Sequence, residues 1–361
     1  MKFKFSAPLP FKKDNIDELI LINTELNESK ITSLYFALHS NCSLHTGFEQ
    51  TRYNSEINNF SYWAELINYS ITKGFDFIYL INSPRQFESY DLLLTHLKKL
   101  DILLKQLENL NVNKLRVTNP QLIDYIVNKY PKFDIYASIL LDFKTIKEYV
   151  YFLDTYKDIK QVTISCDNNK NFKLLENLKS RYPFIDFELL VNQGCLTGCP
   201  YRKFHSIYEN NYYIKKCEQS FSEYLCRNDC IYPFEIKEYE KIGFYNFKFT
   251  GRQTLEFHKG DYIKYFYYYL KGIEDYKFIE NLPIKYFNNY IINSKFEYRV
   301  KDIKKYLPQI KYFKKHGHLC NSICSNGCKY CFNCAKKIEQ IFEQKLPDKN
   351  NKQVLIPVCK I

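Results

Sequence analysis

Glycine and proline are scarce, at 10 and 12 of 361 residues. That scarcity excludes a low-complexity or linker-like chain, because such segments draw heavily on both. No run of 18 apolar residues occurs, so no membrane-spanning helix is expected. The chain has no Gly-rich phosphate loop, no His-Glu-x-x-His and no Gly-x-Ser-x-Gly. It therefore lacks the common sequence marks of nucleotide hydrolysis, zinc proteolysis and serine hydrolysis. Its start, Met1-Lys-Phe-Lys-Phe-Ser6, has no unbroken apolar segment of the kind a secretory leader needs. The expected location is cytoplasmic.

What is present is a large apolar fraction: 45% hydrophobic and 17% aromatic residues, ample for a core. A chain of 361 residues suits one barrel-sized domain with an appendage. Lys and Arg number 52 against 40 Asp and Glu, a net charge of +12. Such a charge is compatible with an anionic partner such as RNA or an acidic peptide. The lysines are dispersed, however, so charge by itself does not select nucleic acid. Thirteen cysteines in a reducing compartment argue for metal ligation over disulfides.

Apolar periodicity alternates between strand and helix along most of the chain. Strands are expected at 2–6, 31–38, 75–81, 114–118, 133–139, 161–165, 185–191 and 244–249. Helices are expected at 15–26, 60–73, 90–110, 121–130, 143–156, 172–181, 233–242 and 254–270. Alternating βα units imply parallel strands with right-handed crossovers, and eight of them close naturally into a barrel. The predicted fold is a (β/α)8 TIM-like barrel over residues 1–252, with a helical, cysteine-rich extension over 253–361. The long polar stretch 43–58 is expected to be a functional loop or lid. The aromatic run Tyr265-Phe-Tyr-Tyr-Tyr-Leu270 reads as core or interface.

The seventh strand runs straight into Asn192-Gln-Gly-Cys195-Leu-Thr-Gly-Cys199-Pro-Tyr-Arg202-Lys-Phe-His205. Side chains after a barrel strand arrive at its carboxyl end, where such folds keep their ligands. Cys217, Cys226 and Cys230 follow inside the loop 193–232, so five thiols converge on one mouth. Thiolates suit iron–sulfur clusters and zinc. The competing reading is that these cysteines pack as small hydrophobes.

The run Leu189-Leu-Val-Asn-Gln-Gly-Cys195-Leu-x-x-Cys199-Pro-Tyr-Arg202-x-x-His205 resembles the central signature of the peptidase U32-like family. So do Tyr213-Ile-Lys-Lys-Cys217 and the run Pro233-Phe-Glu-Ile through Gly251-Arg252. The resemblance covers roughly residues 30–252, on motif matching. It implies the same barrel and an iron–sulfur cluster of the 4Fe-4S kind. It also implies oxygen-independent hydroxylation of a ubiquinone precursor, tRNA or rRNA, despite the family's historical peptidase label. Cys195, Cys199 and Cys217 match the motif residue by residue, and the fourth ligand is left among Cys42, Cys226 and Cys230. Where relatives carry Ile-Arg-Pro-Glu-Asp, this chain has Ile231-Tyr-Pro-Phe-Glu235, a departure that bears on substrate chemistry.

Arg202, His205, Lys248 and Arg252 are the candidate catalytic or anion-binding residues, all placed at or near the mouth, together with the amides of Asn82 and Asn119. Cys166, at the tip of the sixth strand, is read as either mouth or core. An anionic small molecule is the expected co-substrate, with an RNA, peptide or quinone precursor as acceptor and a partner subunit as a further expectation.

A second metal site is expected over 316–334, where Cys320, Cys324, Cys328, Cys331 and Cys334 fall within 15 residues behind His316 and His318. Iron–sulfur and zinc both suit it, and the helix-forming run Ala335 to Phe342 follows. Within it, Cys324-Ser-Asn-Gly-Cys328-Lys-Tyr-Cys331 matches the three-cysteine pattern of radical S-adenosylmethionine enzymes. Its position after the last strand, with spare cysteines beside it, argues against that use. S-adenosylmethionine is thus a cofactor only in the alternative reading, alongside a peptidase and a non-catalytic cluster-bearing subunit.

Overall fold

The computed structural model describes residues 2–37, 60–82, 90–193, 198–199, 230–250, 261–278, 297–300 and 342–345. Eight parallel strands close into a barrel in sequential order: β1 (Phe3–Pro8), β2 (Ser29–Phe36), β3 (Asp76–Ile81), β4 (Lys114–Val117), β5 (Asp134–Ala137), β6 (Gln161–Thr163), β7 (Asp186–Leu190) and β8 (Asn246–Lys248). Closure is made by β8 against β1, with Lys4 opposite Asn246 and Ser6 opposite Lys248. The expected (β/α)8 barrel is the fold.

Around it run α1 (Lys13–Glu25), α2 (Phe60–Thr72), α3 (Tyr90–Asn109), α4 (Pro120–Lys129), α5 (Ile146–Thr155), α6 (Phe172–Arg181), α7 (Ile236–Glu240) and α8 (Asp261–Glu274). Outward strand residues and inward helix residues form one continuous core, including Phe3, Phe5, Phe247 and Phe249 on the strands with Trp63 and Tyr269 on the helices. Phe5 stacks on Phe247 at 5.3 Å and on Phe249 at 5.0 Å, so aromatic contacts reinforce the seam where the barrel closes.

Several boundaries differ from the sequence expectation. The helix expected from Phe143 begins at Ile146, because Thr145 and Glu148 form a reciprocal capping box. The helix expected over 233–242 is a 3-10 turn, Pro233–Glu235, followed by the short α7. The helix expected from 254 to 270 is observed as α8, four residues longer at its C-terminal end, and its aromatic face packs on the barrel. Phe266 meets Phe249 at 4.7 Å, Tyr269 donates to the carbonyl of Ile231, and Glu274 accepts the backbone N–H groups of Asn27 and Glu28 at 2.7 Å. The helix thus completes the eighth βα unit, beyond the boundary expected at 252. In the extension, β9 (Glu297–Val300) pairs antiparallel with β10 (Phe342–Lys345), so Phe342, the last residue of the expected helical run, lies in a strand, and residues 335–341 lie outside the described residues.

Candidate active site at the barrel mouth

The barrel interior is polar to an unusual degree, and the cause is strand alternation. In β4 Leu115 and Val117 face the helices, which turns Lys114 and Arg116 inward; in β7 Phe187 and Leu189 face out, which turns Glu188 in. Arg116 and Glu188 are almost wholly buried and meet across the barrel. Nη1 lies 2.8 Å from Oε2, and Nη2 donates to Oε1 at 3.1 Å and to Gln161 Oε1 at 2.6 Å. Ser6 and Thr163 donate to the two oxygens of Glu188 at 2.6 and 2.8 Å. Burial pushes the Glu188 carboxyl up, but the charges of Arg116 and Lys248 and these hydrogen bonds outweigh it, so its pKa lies below the ordinary glutamate value.

Lys248 is the one proposed catalytic side chain among the described residues. It is 5% exposed, with Nζ 4.1 Å from the centroid of the Tyr35 ring. The Tyr35 hydroxyl is itself held by the carbonyl of Phe249 at 2.6 Å. Lys248 therefore sits deeper than the rim position expected for it. With Arg116 it places two cations near the Glu188 carboxylate.

Above this layer lie the strand ends. Asn192 ties β7 to β8, its Oδ1 accepting from Thr250 N at 2.7 Å and its Nδ2 donating to Thr250 O at 3.2 Å. Asn119 caps α4 through Gln121 N at 2.8 Å and is committed to that role. Asn82 and Thr118, at the ends of adjacent β3 and β4, are buried, and Asn82 Oδ1 and Thr118 Oγ1 have no hydrogen-bond partner among the described residues. Buried polar atoms left so cost free energy unless a ligand or water satisfies them.

Among the described thiols, Cys199 is half-buried at the rim and follows Gly198, whose N–H donates to Asp167 Oδ1 at 2.6 Å. Cys166 is buried beside the mouth and donates to Gln193 Oε1 at 3.5 Å. Cys230 lies fully buried in the main core, as a small apolar group does, while Ile231 after it donates to the carbonyl of Val191 at 2.8 Å. Cys42, Cys195, Cys217, Cys226, Arg202, His205 and Arg252 lie outside the described residues, as do all five cysteines of 320–334.

Compared with known proteins, the chain matches no family model. It is 24% identical over 208 residues to an uncharacterized protease of Methanocaldococcus jannaschii, a match covering 54% of this chain and 60% of that protein. A solved U32 peptidase superposes with a TM-score of 0.48 at 14% identity, covering 70% of this chain and 93% of that one. A GH113 β-1,4-mannanase gives a TM-score of 0.41 at 14% identity, over 73% and 93%. The chain resembles U32-like proteins.

In this barrel the residues that sequence patterns missed are Arg116, Glu188, Ser6, Thr163 and Tyr35. Their signal was the alternation of polar with apolar side chains inside strands otherwise read simply as buried. A polar cavity of about 160 Å³ opens at the other, N-terminal end, lined by Lys4, Asp76, Lys114 and Asp186 among others. Residues at that end of a barrel serve stability, and the chemistry belongs to the opposite mouth.

One arrangement at the mouth invites a hydrolytic reading. Lys144 Nζ is 3.4 Å from Ser165 Oγ. Burial works against the ammonium, but Asp142 and Asp167 outweigh it and raise its pKa above the ordinary lysine value. A lysine so held donates protons and does not accept them. The Ser165 hydroxyl already donates to Asp142 Oδ1 at 2.7 Å, so this pair is a structural contact and not a nucleophile with its base.

Proposed function

We propose that this chain is an iron–sulfur-dependent enzyme that hydroxylates, or otherwise modifies by redox chemistry without oxygen, an RNA, peptide or quinone-precursor acceptor. An anionic small molecule is its co-substrate. The observation that carries the reading is the thiol-bearing segment leaving β7 at the same end of the barrel as buried, cationic Lys248. Soft thiolates at Cys195, Cys199 and Cys217 suit an iron–sulfur group, with Cys42, Cys226 or Cys230 as the fourth ligand. Bound there, the cluster supplies one-electron transfer.

The chain's own groups do the rest. Lys248 attracts the carboxylate of the co-substrate, and Tyr35 and Glu188 hold the ammonium in place. Asn82 and Thr118 take up polar groups of a ligand on the β3–β4 side. Arg202, His205 and Arg252 complete the anion site from the motif segments.

The peptidase reading draws on the names of the relatives. The test that separates them is anaerobic purification with iron and sulfide analysis, followed by assay of the reduced protein. Brown protein whose iron is lost on Cys199→Ala supports the proposal. Colourless protein holding only zinc after reconstitution returns the chain to a peptidase or a non-catalytic subunit. Cleavage of S-adenosylmethionine to 5′-deoxyadenosine that disappears in Cys331→Ala would move the chemistry to the tail.

A further inference from the structure

The segment that carries Cys199 is fastened to two neighbouring strand ends by a relay of charges that the proposed reaction does not use. After β5 the chain makes a 3-10 turn, Ile139–Leu141, and Asp142 follows at φ 55° and ψ 41°, a left-handed conformation that non-glycine residues seldom adopt. Its Oδ1 lies 2.5 Å from Lys144 Nζ. Lys144 also pairs with Asp167 Oδ2, from the 3-10 turn Cys166–Asn168 that follows β6. The other oxygen of Asp167 accepts the backbone N–H of Gly198 at 2.6 Å. One relay, Asp142 to Lys144 to Asp167 to Gly198, thus joins the ends of β5 and β6 to the segment after β7.

Two details bear on the last link. Gly198 has φ +69°, a conformation that favours glycine, and among the described residues a Cβ there would meet nothing within 4 Å. Ser165 Oγ donates to Asp142 Oδ1, and Ser165 N donates to the Tyr149 hydroxyl at 3.0 Å, which keeps the end of β6 in line with the relay. The charge arithmetic matters as well. Lys144 is shared by Asp142 and Asp167, so it offsets part of the Asp167 charge from one side while the other Asp167 oxygen accepts the Gly198 N–H.

We propose that Asp167, aimed by Lys144, is the positioning residue that sets the Gly198 turn and thereby the direction in which Cys199 presents its thiolate to the mouth metal. The inference rests on the metal reading of Cys199 given above, so its test has an arm that needs no metal.

In the full-length protein purified without oxygen, Asp167→Ala, Asp167→Asn and Lys144→Met are compared with wild type. The readouts are iron per chain, the electron paramagnetic signature after reduction, and the rate at which iodoacetamide alkylates Cys199 after chelation, mapped by peptide mass. Loss of one charge-assisted hydrogen bond predicts about tenfold faster alkylation in Asp167→Ala, with faster loss of iron to a chelator and an altered paramagnetic signature. Asp167→Asn keeps an acceptor for Gly198 and is expected to stay near the wild-type alkylation rate. Lys144→Met is expected to fall between the two, and it decides the matter if Asp167→Ala does not fold. Wild-type alkylation rates in both Asp167→Ala and Lys144→Met overturn the proposal. If wild type binds no iron the metal reading fails by itself, and the alkylation rates still judge the anchor.

Discussion

Arg116 and Glu188 show what a single residue costs inside a barrel. Each is buried in a place where an isolated charge is untenable, and each is there because the other is. Replacing Arg116 by Met leaves Glu188 with Lys248 as its only nearby cation among the described residues; unfolding in urea should show a loss of about 3–5 kcal/mol. The double variant Arg116→Met with Glu188→Gln should recover much of that loss, since both desolvated charges of the pair are then gone. The depressed pKa of Glu188 also sets a pH dependence. Its stabilising contribution is full above the unfolded-state value of about 4.3 and is lost as pH falls through the lower folded value. Urea midpoints of Glu188→Gln should therefore lie below wild type at neutral pH and fall less steeply on acidification. Neither residue was legible as a pair, because a lone Arg in Lys114-Leu-Arg-Val and a lone Glu in Asp186-Phe-Glu-Leu carry no mark of their partner.

Among the elements, α5 begins where chemistry and not periodicity dictates. Apolar spacing runs back to Phe143, yet the Thr145 hydroxyl accepts the Glu148 N–H at 3.4 Å while Glu148 Oε2 takes the N–H groups of Thr145 and Lys144 at 2.7 and 2.8 Å. Thr145→Ala should lower stability by about 0.5–2 kcal/mol, read as a shift of the thermal midpoint with mouth chemistry unchanged. The same capping holds Lys144 at the start of its relay, so a larger loss of iron than of stability in that variant would show that helix and site are coupled. Strand and helix types were read correctly around the barrel because each βα unit carries its own period. Ends were read less well, because caps depend on side-chain to backbone bonds that periodicity does not encode.

At the scale of the molecule, closure of β8 on β1 brings residues 242 positions apart, such as Lys4 and Asn246, side by side. Every barrel strand then has two neighbours, and no edge is left to pair with another chain. The C-terminal thiols are proposed to hold a separate metal that staples the extension. Replacing Cys328 and Cys331 together by Ser should lower the metal content and the thermal midpoint while the mouth retains its spectrum. Loss of both signals together would make the two sites one. Among the described residues no helix is long and apolar enough to cross a membrane, in keeping with the reading from the sequence.

By itself the sequence determined the barrel, through alternating periods of two and about 3.6 residues, and it marked the loop after β7, through thiols at short spacing and a run that resembles the U32-like signature. These are local signals, written in neighbouring residues. Only the tertiary structure decided that Arg116, Glu188 and Lys248 meet inside the barrel, that Cys230 is buried, that Asn82 and Thr118 lack hydrogen-bond partners among the described residues, and that Asp167 grips the Gly198 turn. The physical reason is that inward side chains of different strands become neighbours only on closure. Their charges and hydrogen bonds are then fixed by register and burial, which no single stretch of the chain contains.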